Sequence, residues 1–386
     1  MEMTTLGELI CLQRGYDLTE TQRRPGPVPI VGSAGVHGYH DTAKAKGPGV
    51  TLGRSGASFG KVTFSREDFW PHNTTIFVTD FKGNEPVFIR YLLESLDFSS
   101  LNSGSAQQSL NRNFVYPVPV RKFALPVQRR IAGILSAYDE LMENSQRRIR
   151  LLEAMARALY RERFVHFRFP GHEKLPLVAS PLGDIPQGWE VKKLATVAEV
   201  NRAQINARTA PEELHYIDIS SVSPGQIDSI TNYAFADAPG RARRIVQHGD
   251  VLWSCVRPNR RSHAQVMHPD ANTIASTGFA TLTATKVPFT FLYFATTTDD
   301  FVAFLTNNAT GAAYPAVSGA TFEKADLLIA PAPMLKKFGK ATIPMAEQIH
   351  GLQRQIQNLR RTRDLLLPRL LSGQVSLKEA DAADPL

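Results

Sequence analysis

Between Gln128 and Phe164 the apolar residues fall at alternating steps of four and three: Ile131, Leu135, Tyr138, Met142, Ser145, Ile149, Leu152, Ala156 and Leu159, with Ser145 the one polar member. The stretch holds one glycine, Gly133, and no proline. Such spacing lines one seam of a helix with side chains that need a partner, and it predicts a coiled-coil-type helix. At 1.5 Å per residue the helix spans roughly 50 Å. A second run, Ile349, Leu352, Ile356, Leu359, Arg363, Leu366 and Leu370, keeps the same steps, with Arg363 as its one polar member, and closes after Pro368 at Ser372-Gly373. The runs align at an offset of 214 (Leu135 on Ile349), which also sets Leu151-Leu152 on Leu365-Leu366.

The pattern is different elsewhere. From Leu6 to Leu125 the chain is dense in Gly, Pro, Ser and Thr, with short strand-like runs at Val50–Leu52, Lys61–Phe64 and Thr75–Val78. Pro170, Gly171, Pro176, Pro181, Pro186 and Gly188 punctuate a linker into a second mixed segment. That segment carries strand-like runs at Tyr216–Ile219, Asp250–Trp253 and Phe279–Thr283 and a helix near Phe289–Leu305. The organisation is globule, helix, globule, helix, with boundaries expected at 1–125, 126–168, 169–345, 346–373 and a tail at 374–386. The fold class is α+β, an internal duplication whose helices are alike and whose globules have diverged.

A length of 386 residues fits two or three domains and is long enough to bury real cores. Cys11 and Cys255 have neither disulfide-framework nor zinc-module spacing, which makes the cytosol the expected compartment. The N-terminus lacks a basic segment followed by a long apolar one, and no run approaches the ~18 apolar residues of a membrane span. Lys and Arg outnumber Asp and Glu by 44 to 36, a net charge of +8, so a polyanionic partner is favoured.

Catalytic motifs are missing. Gly53–Val62 resembles a phosphate loop, but Ser55 stands where the first glycine is required and Val62 where Ser or Thr must follow Lys61. There is no methyltransferase cofactor loop and no Asn/Asp-Pro-Pro-aromatic tetrad. Phe322-Glu323-Lys324 lacks the intervening residue of a nuclease Glu-x-Lys. His263 and His268, near Cys255, have no metal or nucleophile spacing and are expected to be solvated. What remains are polar, basic loops: Lys44, Lys46, Arg54 and Lys61 beside glycine-rich turns; Gln107, Gln108, Asn111 and Arg112 after Gly104; Arg241, Arg243 and Arg244; and Arg257, Asn259, Arg260 and Arg261 beside Trp253. Arg, Asn and Gln pair with base edges, and Arg and Lys neutralise phosphates. A non-catalytic coiled-coil scaffold that binds protein is the alternative these residues leave open.

Several strings together resemble one family. Pro29–Tyr39, Gly49–Gly56, Gly60-Lys61-Val62 and Phe69–Thr74 resemble the target-recognition domain of the specificity subunit of type I restriction–modification systems. The helix from Gln128 through Leu151-Leu152-Glu153 to Phe164 is similar to that family's central spacer. Ile185–Glu190 resembles the usual opening of a recognition domain, and Arg363–Gly373 resembles the C-terminal ending. The first domain lacks the Pro-x-Gly-Trp opening, and the second lacks the glycine strings. The resemblance implies two mostly β recognition domains, separated and followed by long helices that pair antiparallel, and a chain with no catalytic residue of its own. It implies double-stranded DNA, two modification subunits and restriction subunits as partners. S-adenosylmethionine, ATP and Mg2+ are then expected on those partners and no cofactor on this chain.

Overall fold

The computed structural model describes residues 2–102 and 108–375. Its contacts divide the chain into two units, Met1–Ser145 with Gln355–Leu386, and Gln146–Arg354.

The first unit opens with β1 (Met3–Thr5), α1 (Leu6–Leu9) and β2 (Cys11–Arg14). Then follow β3 (Val28–Gly32), β4 (Gly35–His40), β5 (Gly49–Gly53), β6 (Val62–Ser65), β7 (Trp70–Pro71) and β8 (Thr75–Asp80). An antiparallel sheet runs β2-β8-β5-β6, and a second sheet runs β4-β3-β7 with β3 and β7 parallel. Helix α2 (Pro86–Glu94) starts on a proline, which needs no partner for an amide proton there, and the Glu85 carboxylate accepts from the Phe88 amide. It buries Phe88, Ile89, Leu92 and Leu93 in one core with Leu6, Val50, Leu52 and Ile76. After α3 (Arg112–Val115), strand β9 (Pro119–Arg121) pairs with β1 and leads into α4 (Leu125–Tyr160). Ile131 and Leu135 of α4 join this core together with Leu370 and Leu371 from the end of the last helix.

The second unit contains the hairpin β10 (Leu177–Ser180)·β11 (Gly183–Pro186), then β12 (Glu190–Lys193), β13 (Ala198–Val200) and β14 (Glu213–Ile217). Next come the short β15 (Val222–Ser223) and β16 (Gln226–Ile227), then β17 (Thr231–Ala234), β18 (Ala242–Ile245), β19 (Val251–Ser254) and β20 (His263–Gln265). After β21 (Thr273–Ser276) and β22 (Phe279–Ala284) come α5 (Phe289–Ala295), α6 (Asp299–Asn307), α7 (Gly319–Glu323), β23 (Asp326–Ile329) and α8 (Ala332–Ser372). One sheet runs β13-β22-β19-β20 and the other β17-β14-β21-β18, with β14 and β21 parallel. The connectivity of the first unit is thus repeated: β13, β22, β19 and β20 stand for β2, β8, β5 and β6, and β17, β14 and β21 stand for β4, β3 and β7. Pairing of β12 with β23 repeats that of β1 with β9. The core is aromatic, with Tyr160, Phe164, Phe291 and Phe338 packed at centroid distances of 5.0 to 6.4 Å.

The heptad positions of α4 are all buried or half-buried, as the spacing requires. Within each unit α4 and α8 run antiparallel. In the first, Leu135 packs near Leu370 while Asp139, one turn later, meets Arg363; in the second, Tyr160 meets Phe338. Helix α8 begins at Ala332, well ahead of the expected 346, and the single helix expected near Phe289–Leu305 is two, broken at Thr296–Thr298. Pro344 hid the early start of α8. Its ring lies on the exposed face and costs one backbone hydrogen bond, while Phe338 and Thr342, both fully buried, hold the preceding turns of the helix against the core. The helix ends where Gly373 adopts φ +68°, with Gln374 donating to the Arg369 carbonyl at 3.0 Å. Among the described residues, no helix is long and apolar enough to cross a membrane.

Candidate nucleic-acid interface

In each unit some of the candidate residues lie where the two strands at one end of the four-stranded sheet join. The β5–β6 connection carries Arg54 and Lys61, and the β19–β20 connection carries Arg257, Asn259, Arg260 and Arg261. Neighbouring loops close on both in the same way. The Arg54 amide donates to the Thr74 carbonyl in the β7–β8 turn at 2.8 Å, and the Leu110 amide donates to the Arg54 carbonyl at 2.8 Å. In the second unit the Cys255 amide donates to Gly278 in the β21–β22 turn at 2.8 Å, and the Val317 amide donates to Cys255 at 2.9 Å. Each connection contains two left-handed residues four positions apart: Gly56 (φ +75°) and Gly60 (+74°) in the first, Arg257 (+50°) and Arg261 (+56°) in the second. Glycine takes this conformation without steric cost, and arginine must be held in it.

What holds Arg257 is local. Its amide donates to Pro315 at 2.7 Å, its guanidinium donates to the Ala313 carbonyl at 3.2 Å, and the group lies over the Tyr314 ring, 4.6 Å from the centroid. Arg261 pairs with Asp299. Asn259 and Arg260, between them, are exposed. The other arginine cluster reaches the same place through the β21–β22 turn, because the Thr277 amide donates to the Arg241 carbonyl at 2.7 Å while Gly278 accepts from Cys255. The exposed Arg241 guanidinium pairs with Asp218 at 3.0 Å, and Arg243 lies 5.2 Å from the Phe235 ring centroid. Arg244 is half-buried; its Nε has no hydrogen-bond partner, and burial holds its guanidinium below the ordinary value. Beside it, burial pushes the Cys255 thiol up to about 11, which keeps it a thiol at neutral pH.

The first unit engages its candidates more fully. Lys61 Nζ donates to the Ala34 carbonyl at 2.7 Å, Arg54 to Asn73 at 3.4 Å and Arg112 to Leu12 at 3.2 Å. The Asn111 side chain caps α3 by accepting from the Asn113 amide. Lys44 and Lys46 are not drawn to the β5–β6 connection. They flank the bridge of Ala45 to Phe69 at the start of β7, Lys44 over the Trp70 ring at 5.5 Å and Lys46 paired with Asp68 at 2.8 Å. Gln107 lies outside the described residues.

Of the two histidines expected in solvent, His268 is exposed and His263 is not. His263 is buried, with 6% of its surface exposed, because β20 pairs with β19 and sets it opposite Trp253. Its Nδ1 has no partner, and burial, then the charges of Arg157 and Arg261, lower it to about 4. His268 sits beside His248 and Glu347, the one set among the described residues whose metal-type ligand atoms lie within 4.8 Å of one another. No spacing in the sequence marks it, because the three residues come from separate segments. Tyr314, Phe235 and Asp218 carried no signal at all, being ordinary residues that the loops bring under the arginines.

The family model described as the type I restriction modification DNA specificity domain matches residues 1–154. A type I restriction enzyme MjaIX specificity subunit from Methanocaldococcus jannaschii is 22% identical over 86% of this chain and 78% of its own length. The chain is similar to the type I restriction–modification specificity subunits, by the family model over residues 1–154 and by this relative over most of its length. Members of this family are the non-catalytic subunits of their systems. A MjaX specificity subunit of the same organism, named as putative, is 25% identical over 28% of the chain and 26% of its own length. The S subunit from M. genitalium shares the fold, with a TM-score of 0.65 over 96% of both chains at 16% identity. The family match on the first unit, together with a second unit of the same connectivity, places two copies of the specificity-domain topology in one chain.

Proposed function

We propose that this chain supplies sequence recognition to a type I restriction–modification complex, each unit reading one half of a split asymmetric DNA site. The observation that carries the reading is the repeated connectivity with a basic β5–β6 or β19–β20 connection at the same place in each copy. The second connection, with Arg257, Asn259 and Arg260, has the side chains that pair bidentately with guanine and adenine edges. Arg241 and Arg243, and in the first unit Lys44, Lys46 and Arg112, then serve phosphates, so binding weakens with salt by a slope of about −0.9 per phosphate neutralised.

The antiparallel stretches of α4 and α8 act as a spacer that fixes the gap between the half-sites. Leu151 and Met155, both more than half exposed, offer partner subunits an apolar strip on α4. Two modification subunits would bring S-adenosylmethionine to methylate adenine, and restriction subunits would bring ATP and Mg2+ for translocation and cleavage, in the cytoplasm. The test is a methylome of the source organism with and without this gene. Loss of one gapped two-part methyladenine motif on deletion supports the reading; no changed motif, with no methyltransferase recovered in a pull-down, refutes it. Residues inserted into α4 should change the gap and leave both half-sites intact, whereas a changed half-site with an unchanged gap overturns the spacer.

A further inference from the structure

His248 lies in the β18–β19 loop, His268 in the β20–β21 loop and Glu347 on α8, three segments distant in sequence that converge inside the second unit. His268 Nε2 is 2.7 Å from Glu347 Oε2, and His248 Nε2 is 3.7 Å from Glu347 Oε1. The two imidazole rings stand 4.3 Å apart. Four ligands around a tetrahedral zinc ion lie about 3.3 Å from one another, and the three ligand atoms here all lie within 4.8 Å of one another, close enough for small side-chain rotations to enclose one. We propose that His248, His268 and Glu347 bind zinc or a similar divalent cation, with an open fourth position, and so pin the two loops to α8.

Three observations support a site over a chance cluster. His268 is held at φ +46°, a conformation a non-glycine residue adopts only when its surroundings impose it. A half-exposed His–Glu contact contributes little by itself and does not offset that strain. The donor set, two imidazoles and a carboxylate, is one that zinc takes in open sites. The first unit also shows what the same place looks like without such a set. Its matching loops are tied directly by Lys46 and Asp68, 2.8 Å apart, and the offset of 214 puts Gly133 where Glu347 stands. Loading the cation has a defined consequence. The proton on His248 Nε2 must move to Nδ1, which gives up a long 3.3 Å contact from the His268 amide, and the proton of the His268–Glu347 hydrogen bond must move to His268 Nδ1 or leave to solvent as that bond is replaced by two metal bonds.

The experiment is calorimetric titration of ZnCl2 into the full chain after chelator treatment, with Co2+ absorption to report inner-sphere coordination. One saturable equivalent is expected, weakened about a hundredfold by His268→Ala or Glu347→Gln, since even residues that only orient a ligand change affinity 10- to 100-fold. Zinc should raise Tm of the parent chain and leave that of Glu347→Gln unchanged. That variant keeps the size of the side chain and decides the matter if His268→Ala fails to fold. Equal binding in parent and Glu347→Gln, or no saturable binding at all, overturns the proposal. So does loss of binding with His72→Ala, which would move the cation to the His37–His72 pair, whose rings are 5.0 Å apart.

Discussion

The β5–β6 and β19–β20 connections solve the same geometric problem with opposite residues. Both place two left-handed residues four apart, and both are locked by a carbonyl of the following turn and an amide of the loop after the helices. The first uses Gly56 and Gly60 and directs its cations back onto carbonyls of its own unit; the second uses Arg257 and Arg261 and leaves Asn259 and Arg260 in solvent. A repeated backbone therefore does not imply repeated chemistry. Side chains on a conserved turn can change from none to cationic provided something else, here Tyr314 and Asp299, holds the backbone.

The contrast recurs where α2 and α5 meet the long helices. In the first unit the Asp139 carboxylate accepts from Tyr91 at 2.7 Å and pairs with Arg90 at 2.7 Å and Arg363 at 2.6 Å. Burial pushes that carboxyl up, but the hydrogen bonds from Tyr91 and Arg363 and the charge of Arg90 outweigh it and leave it below the ordinary range. In the second unit Gln353 stands 214 residues on from Asp139, and the matching space is a cavity of about 200 Å3 bordered by His263, Tyr293, Arg157 and Glu153. One unit is fastened there by charge and the other by aromatic packing.

The largest effect expected is from Phe338→Ala, which removes a fully buried ring from the aromatic core and should cost about 3–5 kcal/mol in the urea unfolding of the second unit. Asp139→Ala should cost the first unit about 3 kcal/mol, the low end for one partner of a buried pair, because Arg90 and Arg363 keep 20% and 21% of their side-chain surface in water. If Asp139→Ala were silent, the ionic fastening would be decoration. Acid should separate the units next. His263 has its ordinary value of 6.5 when unfolded and about 4 when folded, so its contribution is fully present above pH 6.5 and lost as pH falls toward 4. The loss amounts to about 3 kcal/mol. Asp139, depressed in the fold, contributes above the ordinary carboxylate value and loses that contribution only as pH falls below it. Urea midpoints measured from pH 7.5 to 4.5 should fall in the parent chain and flatten in His263→Gln. The smallest effect on stability is expected from Arg257→Gly, within about 1 kcal/mol, because glycine relieves the left-handed strain while adding backbone entropy to the unfolded chain. The same change should still cost specific DNA binding about 1–3 kcal/mol and relax discrimination at one base pair, with the salt slope unchanged. Unchanged binding would remove Arg257 from the interface.

Elements that depend on local periodicity could be read from the residues alone. The a/d seam of α4, the second run and its glycine stop were legible because a helix places residues three and four apart on one face whatever lies beyond it. The family strings were legible too, since turns demand glycine at fixed points. The rest depends on contacts between distant segments. That the globules share one connectivity was hidden because strand pairing is set between distant segments, and Gly56 and Arg257 bear no local likeness. Pro344 concealed the start of α8 because the packing that compensates for it, Phe338 and Thr342 against the core, is nonlocal. His263 was expected in solvent and is buried because β19 and β20 fold it under Tyr293. The meeting of His248, His268 and Glu347, and the union of the two arginine clusters at Thr277-Gly278, come from loop closure across dozens of residues. No spacing rule records such contacts, because their energy is gained only when the whole unit folds.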